Sequence, residues 1–184
     1  PKTQPNRIAC LGASSTGGAF QNDSLDDFYP ARLAQSGPAD TEVINQGVGG
    51  WTSLHVLKFL EGHADAIDSD VWTIYLGVNE HMPTRMPYAD LYDLWESGSG
   101  QANLSALDNI RLFQALRLLV RGLGSSAGAG VPPSHFEDNL EAIAALAKTH
   151  NANVLMMNEG IQPDPNALWQ YTDVMESLAQ KNEH

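Results

Sequence analysis

The feature that most limits the fold of this chain is an alternation. Short, continuously apolar runs are separated by stretches with helical periodicity. The runs "RIACLGA" (7–13), "TEVINQ" (41–46), "DVWTIYLG" (70–77) and "ANVLMMN" (152–158) read as strands, and "DVWTIYLG" is the strongest, rich in β-branched and aromatic residues. Between them, 25–36, 52–67, 104–123, 134–151 and 165–182 read as helices. Leu54, Leu57 and Leu60 recur at three-residue spacing in the second. In 134–151, Phe136, Leu140, Ile143, Ala144 and Ala147 form one face, and Ser134 with Glu137 has the spacing of a capping box. Strands without a polar alternate face are buried on both sides, and helical connections let neighbouring strands run parallel. The expected fold is therefore α/β: a parallel sheet with helices on both faces, in a single domain over residues 1–184. The Gly/Ser/Ala stretch 124–133 reads as a surface loop of that domain, since the strand after it belongs to the same sheet. No internal repeat is present.

Composition removes several classes of function. The chain has 184 residues, 42% of them hydrophobic, enough for one sizeable core. Its 22 acidic and 10 basic residues give a net charge of -12, which repels nucleic-acid phosphates and anionic membranes. Cys10 is the single cysteine, so an intrachain disulfide and a cysteine-held zinc are excluded, and its apolar run predicts a buried thiol. No apolar stretch approaches the roughly 18 residues of a membrane span. The opening "PKTQPNR" is polar and does not read as a signal peptide. It also lacks an initiator Met, which leaves processing or excision from a longer chain open, and the compartment undetermined. No metal or cofactor motif stands out, and Trp72, Trp95 and Trp169 read as core or cleft wall.

In open parallel sheets, ligands bind beyond the carboxyl ends of the strands. Three loops leave those ends: Gly12–Gly18, Gly47–Ser53 and Gly77–Met82. The first, "GASSTGG", lacks the lysine of a phosphate-binding loop and the spacing of a dinucleotide fingerprint. Two readings remain for Ser14, Ser15 and Thr16. They cap a helix, or Ser14 is a nucleophile whose amide opens a helix and faces a developing oxyanion. The second loop, "NQGVGGWTS", sets glycines before a helix, where a bare Gly50 N–H could face the Ser14 amide; a plain glycine turn is the alternative. In the third, "GVNEH", Asn79 could supply a carboxamide to the same cleft, or simply shape a turn. Trp51 follows Gly50 and is a candidate to line a substrate pocket, with core packing as its alternative. Tyr75 and Met82 read as packing residues of strand and loop.

The trio "GASST", "NQGVGG" and "GVNE" resembles the first three sequence blocks of the SGNH/GDSL hydrolases, with Ala13 in place of the usual aspartate. The likeness spans nearly the whole chain. It implies a three-layer, flavodoxin-like fold and a serine esterase that needs no cofactor. Ser14 would be the nucleophile; the Ser14 amide, Gly50 and Asn79 would form the oxyanion hole. The implied ligand is a small acyl ester, acetylated carbohydrates included. A non-catalytic ester- or glycan-binding module and an O-acyltransferase are the alternatives.

One departure matters. The family's fourth block, D-x-x-H, supplies the base that activates the serine. The residues three before the six histidines are Thr52, Leu60, Val78, Pro132, Ala147 and Lys181; none is Asp. The chain also ends before the family's final strand, so the expectation is that this strand and block lie in a C-terminal segment outside residues 1–184, a lost triad being the alternative. His81, beside Asn79, is the best internal candidate for the cleft, against an ordinary surface-loop histidine. His55 and His63 read as flanking a helix, and His150 suits a helix C-terminus.

Overall fold

The computed structural model describes residues 2–18, 28–84, 88–89, 128–158 and 165–182. In chain order the elements are β1 (Asn6–Gly12), α1 (Ser14–Gly17), α2 (Tyr29–Ser36), β2 (Thr41–Gly47), α3 (Ser53–Ile67), β3 (Val71–Leu76), β4 (Pro83–Thr84), β5 (Gly128–Ala129), α4 (Pro133–Thr149), β6 (Asn153–Asn158) and α5 (Pro165–Asn182). The four apolar runs pair in the order β2-β1-β3-β6, all parallel. The expected α/β architecture is thus the one observed. The expected helix 104–123, and Trp95, lie outside the described residues, as does the side chain of Trp169.

Strand alternation assigns the two faces. Ala9 and Leu11 of β1 and Trp72, Ile74 and Leu76 of β3 are buried in one core. That core is closed by Leu54, Val56, Leu57 and Leu60 of α3, by Phe136, Leu140 and Ile143 of α4, and by Tyr171, Met175 and Leu178 of α5. Burying a side chain such as Phe136 contributes roughly 1.5–3 kcal/mol, so these positions dominate stability. On the opposite face α2 packs against β2. There the Tyr29 hydroxyl meets Thr73 Oγ1 at 3.1 Å and the ring meets Tyr75 edge-on. Cys10 is buried on this face, and burial raises its thiol pKa.

Three local expectations are corrected. Helix α4 has no Ser134–Glu137 capping box: it starts at Pro133 with Pro132 as N-cap. The proline rings fix φ at helical values one residue ahead of the serine. Met82 is exposed rather than packed. Strand β6 is not covered on both faces, since Leu155 is 54% exposed.

The topology also fixes where a ligand can sit. The chain leaves β1 for β2 on one side, then crosses to β3 on the other. The loops after β1 and β3 therefore diverge and leave a crevice at the switch point.

Candidate active site

Ser14 stands at this crevice. It is the first residue of α1, and Ala13 is the N-cap, with no side-chain capping bond. Ser14 is therefore inside the helix and is not its N-cap. Ser14 is half-buried, and neither its N–H nor its Oγ has a hydrogen-bond partner among the described residues.

The second loop lies against the first because glycines allow it. A Cβ on Gly47 would fall 2.3 Å from Gly17 N, and one on Gly17 would fall 2.5 Å from Gly47 O. The contact is sealed by Val48 N–H to Gly12 O at 3.0 Å and by Asn45 Nδ2 to Thr16 O at 2.9 Å. Gly50 adopts φ +84°, a left-handed value that favours glycine, and it is exposed. Its N–H has no acceptor among the described residues.

The third loop is tied to the second by two side chains. Asn79 is buried, and its Nδ2 donates to Trp51 O at 2.9 Å, one residue past Gly50. The carboxamide carries a second N–H. Glu80 is fully buried; its carboxylate accepts Ser53 N–H at 2.7 Å and Gly77 N–H at 3.1 Å. A carboxylate at the first amide of a 15-residue helix also meets the positive end of its dipole. The Glu80 carbonyl accepts Val131 N–H at 3.1 Å, and Tyr171 donates to Val131 O at 2.7 Å. Burial, and then the nearby Glu80 charge, push the Tyr171 pKa up to about 12, so its hydroxyl stays a donor. Glu80 thus clamps β3, α3 and the 128–131 segment together.

The structure assembles the loops of Ser14, Gly50 and Asn79 at neighbouring strand ends, Gly12 pairing with both Gly47 and Tyr75. Trp51 borders the same crevice, its N–H bonded to Val48 O at 3.1 Å. His81 is half-buried; its Nδ1 has no partner among the described residues, and it makes no hydrogen bond to Ser14. Among the described residues no histidine hydrogen-bonds to Ser14 and no cluster of ligating side chains could hold a metal. No described helix is long and apolar enough to cross a membrane.

Two contributors were missed in the sequence. Glu80 was quoted within "GVNEH" but given no role. Its signal was a charged residue directly after an apolar strand, beside a polar candidate. His55 closes a capping box: its Nδ1 accepts Thr52 N–H at 3.2 Å and lies 2.8 Å from Thr52 Oγ1. The Thr52-x-x-His55 spacing was legible, but His stands where Glu or Gln is usual. Burial lowers the His55 pKa, which favours the neutral ring that this acceptor role needs.

Comparison with known proteins identifies the family and the fold. A family model for GDSL-like lipases and acylhydrolases matches residues 10–184. No curated protein matches. Among solved structures, TesA superposes with a TM-score of 0.61 at 18% identity, covering 97% of this chain and 75% of that one. The psychrotrophic esterase EstA from Pseudoalteromonas sp. gives 0.60 at 18%, covering 97% and 74%. An acetyl-xylooligosaccharide esterase from Geobacillus, Axe2, gives 0.57 at 18%, covering 97% and 73%. At these identities the superpositions establish the shared fold. The family model, the fold and the three loops agree: this chain belongs to the GDSL-like lipase/acylhydrolase family, the SGNH hydrolases.

Proposed function

We propose that the protein is a serine ester hydrolase for small acyl esters, acetylated carbohydrates among them. Ser14 Oγ attacks the carbonyl carbon, and its proton passes to a base. The carbonyl oxygen becomes an oxyanion held by the Ser14 and Gly50 amides and the Asn79 carboxamide. Collapse expels the alcohol, which takes the proton back, and leaves Ser14 acylated. Water then attacks the acyl carbon by the same route and releases the acid. The base is a histidine; no D-x-x-H occurs in residues 1–184, and His81 is the candidate among them.

The observation that carries this reading is that the Ser14 and Gly50 amides have no acceptor among the described residues, while a buried Asn79 is fixed at 2.9 Å to the Trp51 carbonyl, one residue past Gly50. Preorganised donors of this kind act where charge develops, and losing one costs about 10²–10³ in turnover. The Axe2 structure is of an esterase for acetylated xylo-oligosaccharides, which supports the sugar-ester class. The test is hydrolysis of 4-nitrophenyl acetate and of acetylated xylo-oligosaccharides by the full-length protein. Asn79→Ala should lower turnover about 10²–10³-fold while the circular dichroism spectrum stays native. Unchanged turnover in Asn79→Ala or Ser14→Ala refutes the assignment. Turnover by residues 1–184 that is lost in His81→Ala would identify His81 as the base. Products in the presence of competing alcohols separate hydrolysis from acyl transfer.

Among the described residues no histidine hydrogen-bonds to Ser14, which favours a second reading, a binding module that retains the crevice without chemistry. Retained ligand binding with no turnover by the full-length protein would establish it.

A further inference from the structure

We propose that the outer face of α3 beside Gly50 is a ring-stacking subsite for the sugar of a neutral acylated oligosaccharide. This rests on the ester-hydrolase reading for its use, although the contact itself does not need turnover. Trp51, His55, Phe59 and His63 recur at four-residue spacing. They therefore form one stripe that runs from the Gly50 turn along α3. The rings are in mutual contact. Trp51 and His55 are nearly parallel, at 14° and 6.5 Å; Trp51 and Phe59 are 5.2 Å apart; Phe59 and His63 stack at 4.7 Å and 15°. Tyr88 supports the stripe edge-on to His55 at 5.1 Å. Trp51, His55, Lys58 and Phe59 line an open groove of about 250 Å³. Trp51, Phe59 and Tyr88 are part-buried and pack against the core that Leu54, Val56, Leu57 and Leu60 serve, so the stripe presents its remaining surface to the groove.

The chemistry of this groove selects its occupant. Aromatic faces carry negative charge and attract polarised C–H groups. A sugar ring offers such C–H groups on its flat side and hydroxyls on its rim. Here the rim would meet the Lys58–Glu61 ion pair, 3.1 Å apart, and the exposed His63. An alkyl chain gains most from apolar enclosure, and this groove is open and edged with charge. The net charge of -12 opposes an anionic ligand. The groove also has a direction. It begins at the residue after Gly50, so a sugar seated there extends from an ester whose carbonyl lies at Ser14.

The probe is xylohexaose, which carries no ester, titrated calorimetrically into the full-length protein. Saturable binding is expected, and Ser14→Ala should keep it. Trp51→Ala and Phe59→Ala should each weaken it about two- to tenfold, the range of one aromatic contact. Phe59→Leu keeps the apolar volume and removes the ring, and should show the same loss if Phe59→Ala fails to fold. Absence of saturable binding, affinity unchanged in Trp51→Ala and Phe59→Leu, or a preference for dodecanol over the sugar overturns the subsite. Sugar binding without ester turnover would sink the hydrolase reading alone, and turnover without sugar binding would sink the subsite alone.

Discussion

Replacing Glu80 tests the clamp beneath the candidate oxyanion loops. Its carboxylate is fully buried and accepts two backbone amides, Ser53 at 2.7 Å and Gly77 at 3.1 Å. A hydrogen bond to a charged acceptor contributes about 1.5–3 kcal/mol net. Glu80→Ala removes both and leaves two N–H groups without this acceptor, so a loss of about 3–5 kcal/mol is expected. A domain has only about 5–15 kcal/mol in hand. For a chain of this length each 1 kcal/mol lowers Tm by about 2–4 °C, so the melting point should fall by roughly 6–20 °C. Glu80→Gln keeps one acceptor oxygen but turns an amide donor toward another donor, and should cost about 1–3 kcal/mol. Urea unfolding at pH 7, followed by circular dichroism, measures both. A loss below about 1 kcal/mol for Glu80→Ala would refute the clamp, because two buried N–H groups that lose a charged acceptor are expected to cost several times that.

Further predictions concern the loops and the titrating groups. Gly50→Ala should cost about 1–2 kcal/mol, for its φ of +84° alone, since a Cβ there meets nothing within 4 Å. Gly47→Ala should cost more, because its Cβ would fall 2.3 Å from Gly17 N; thermal melts of the two rank them. His55 has a lowered folded pKa, so the unfolded state binds its proton first as pH falls. Its share of stability is whole above about pH 7.5, beyond the unfolded value near 6.5, and declines as pH drops toward the lower folded value. His55→Gln preserves the capping-box spacing and should flatten that slope relative to the parent protein in melts between pH 8 and 5. The Asp70 pKa is lowered, first by the Lys2 ammonium at 2.6 Å and then by the Arg7 amide. Its stabilisation is present above the unfolded value near 4 and lost below it, and Asp70→Asn should remove that part of the acid limb.

The strands were legible because β1, β3 and β6 each centre on a short apolar run, and β2, with Glu42, Asn45 and Gln46, was legible from its place in the alternation. The three loops were legible because glycine and polar residues sat directly at the ends of those runs. What the sequence did not reveal depends on tertiary partners. Glu80 looks like any loop acid until α3 is seen to present its Ser53 amide. His55 looks like an ordinary helix residue until its ring is seen to meet the Thr52 amide at the start of α3. The start of α4 was misread because two prolines outranked a capping-box spacing that was present but unused. The β4–β5 pair is two residues per strand, too short for any periodicity. The exposed side of Leu155 is likewise invisible in an apolar run, which says that a strand is buried without saying by what.

The central claim is that Ser14 is a nucleophile served by the amides of its own loop and of Gly50 and by Asn79. The most direct measurement is reaction of the protein with an ethyl fluorophosphonate, followed by peptide mass spectrometry. The predicted result is a stoichiometric adduct on Ser14, formed about 10²–10³ times more slowly in Asn79→Ala. An unmodified Ser14, or an adduct on a different residue, would contradict the account.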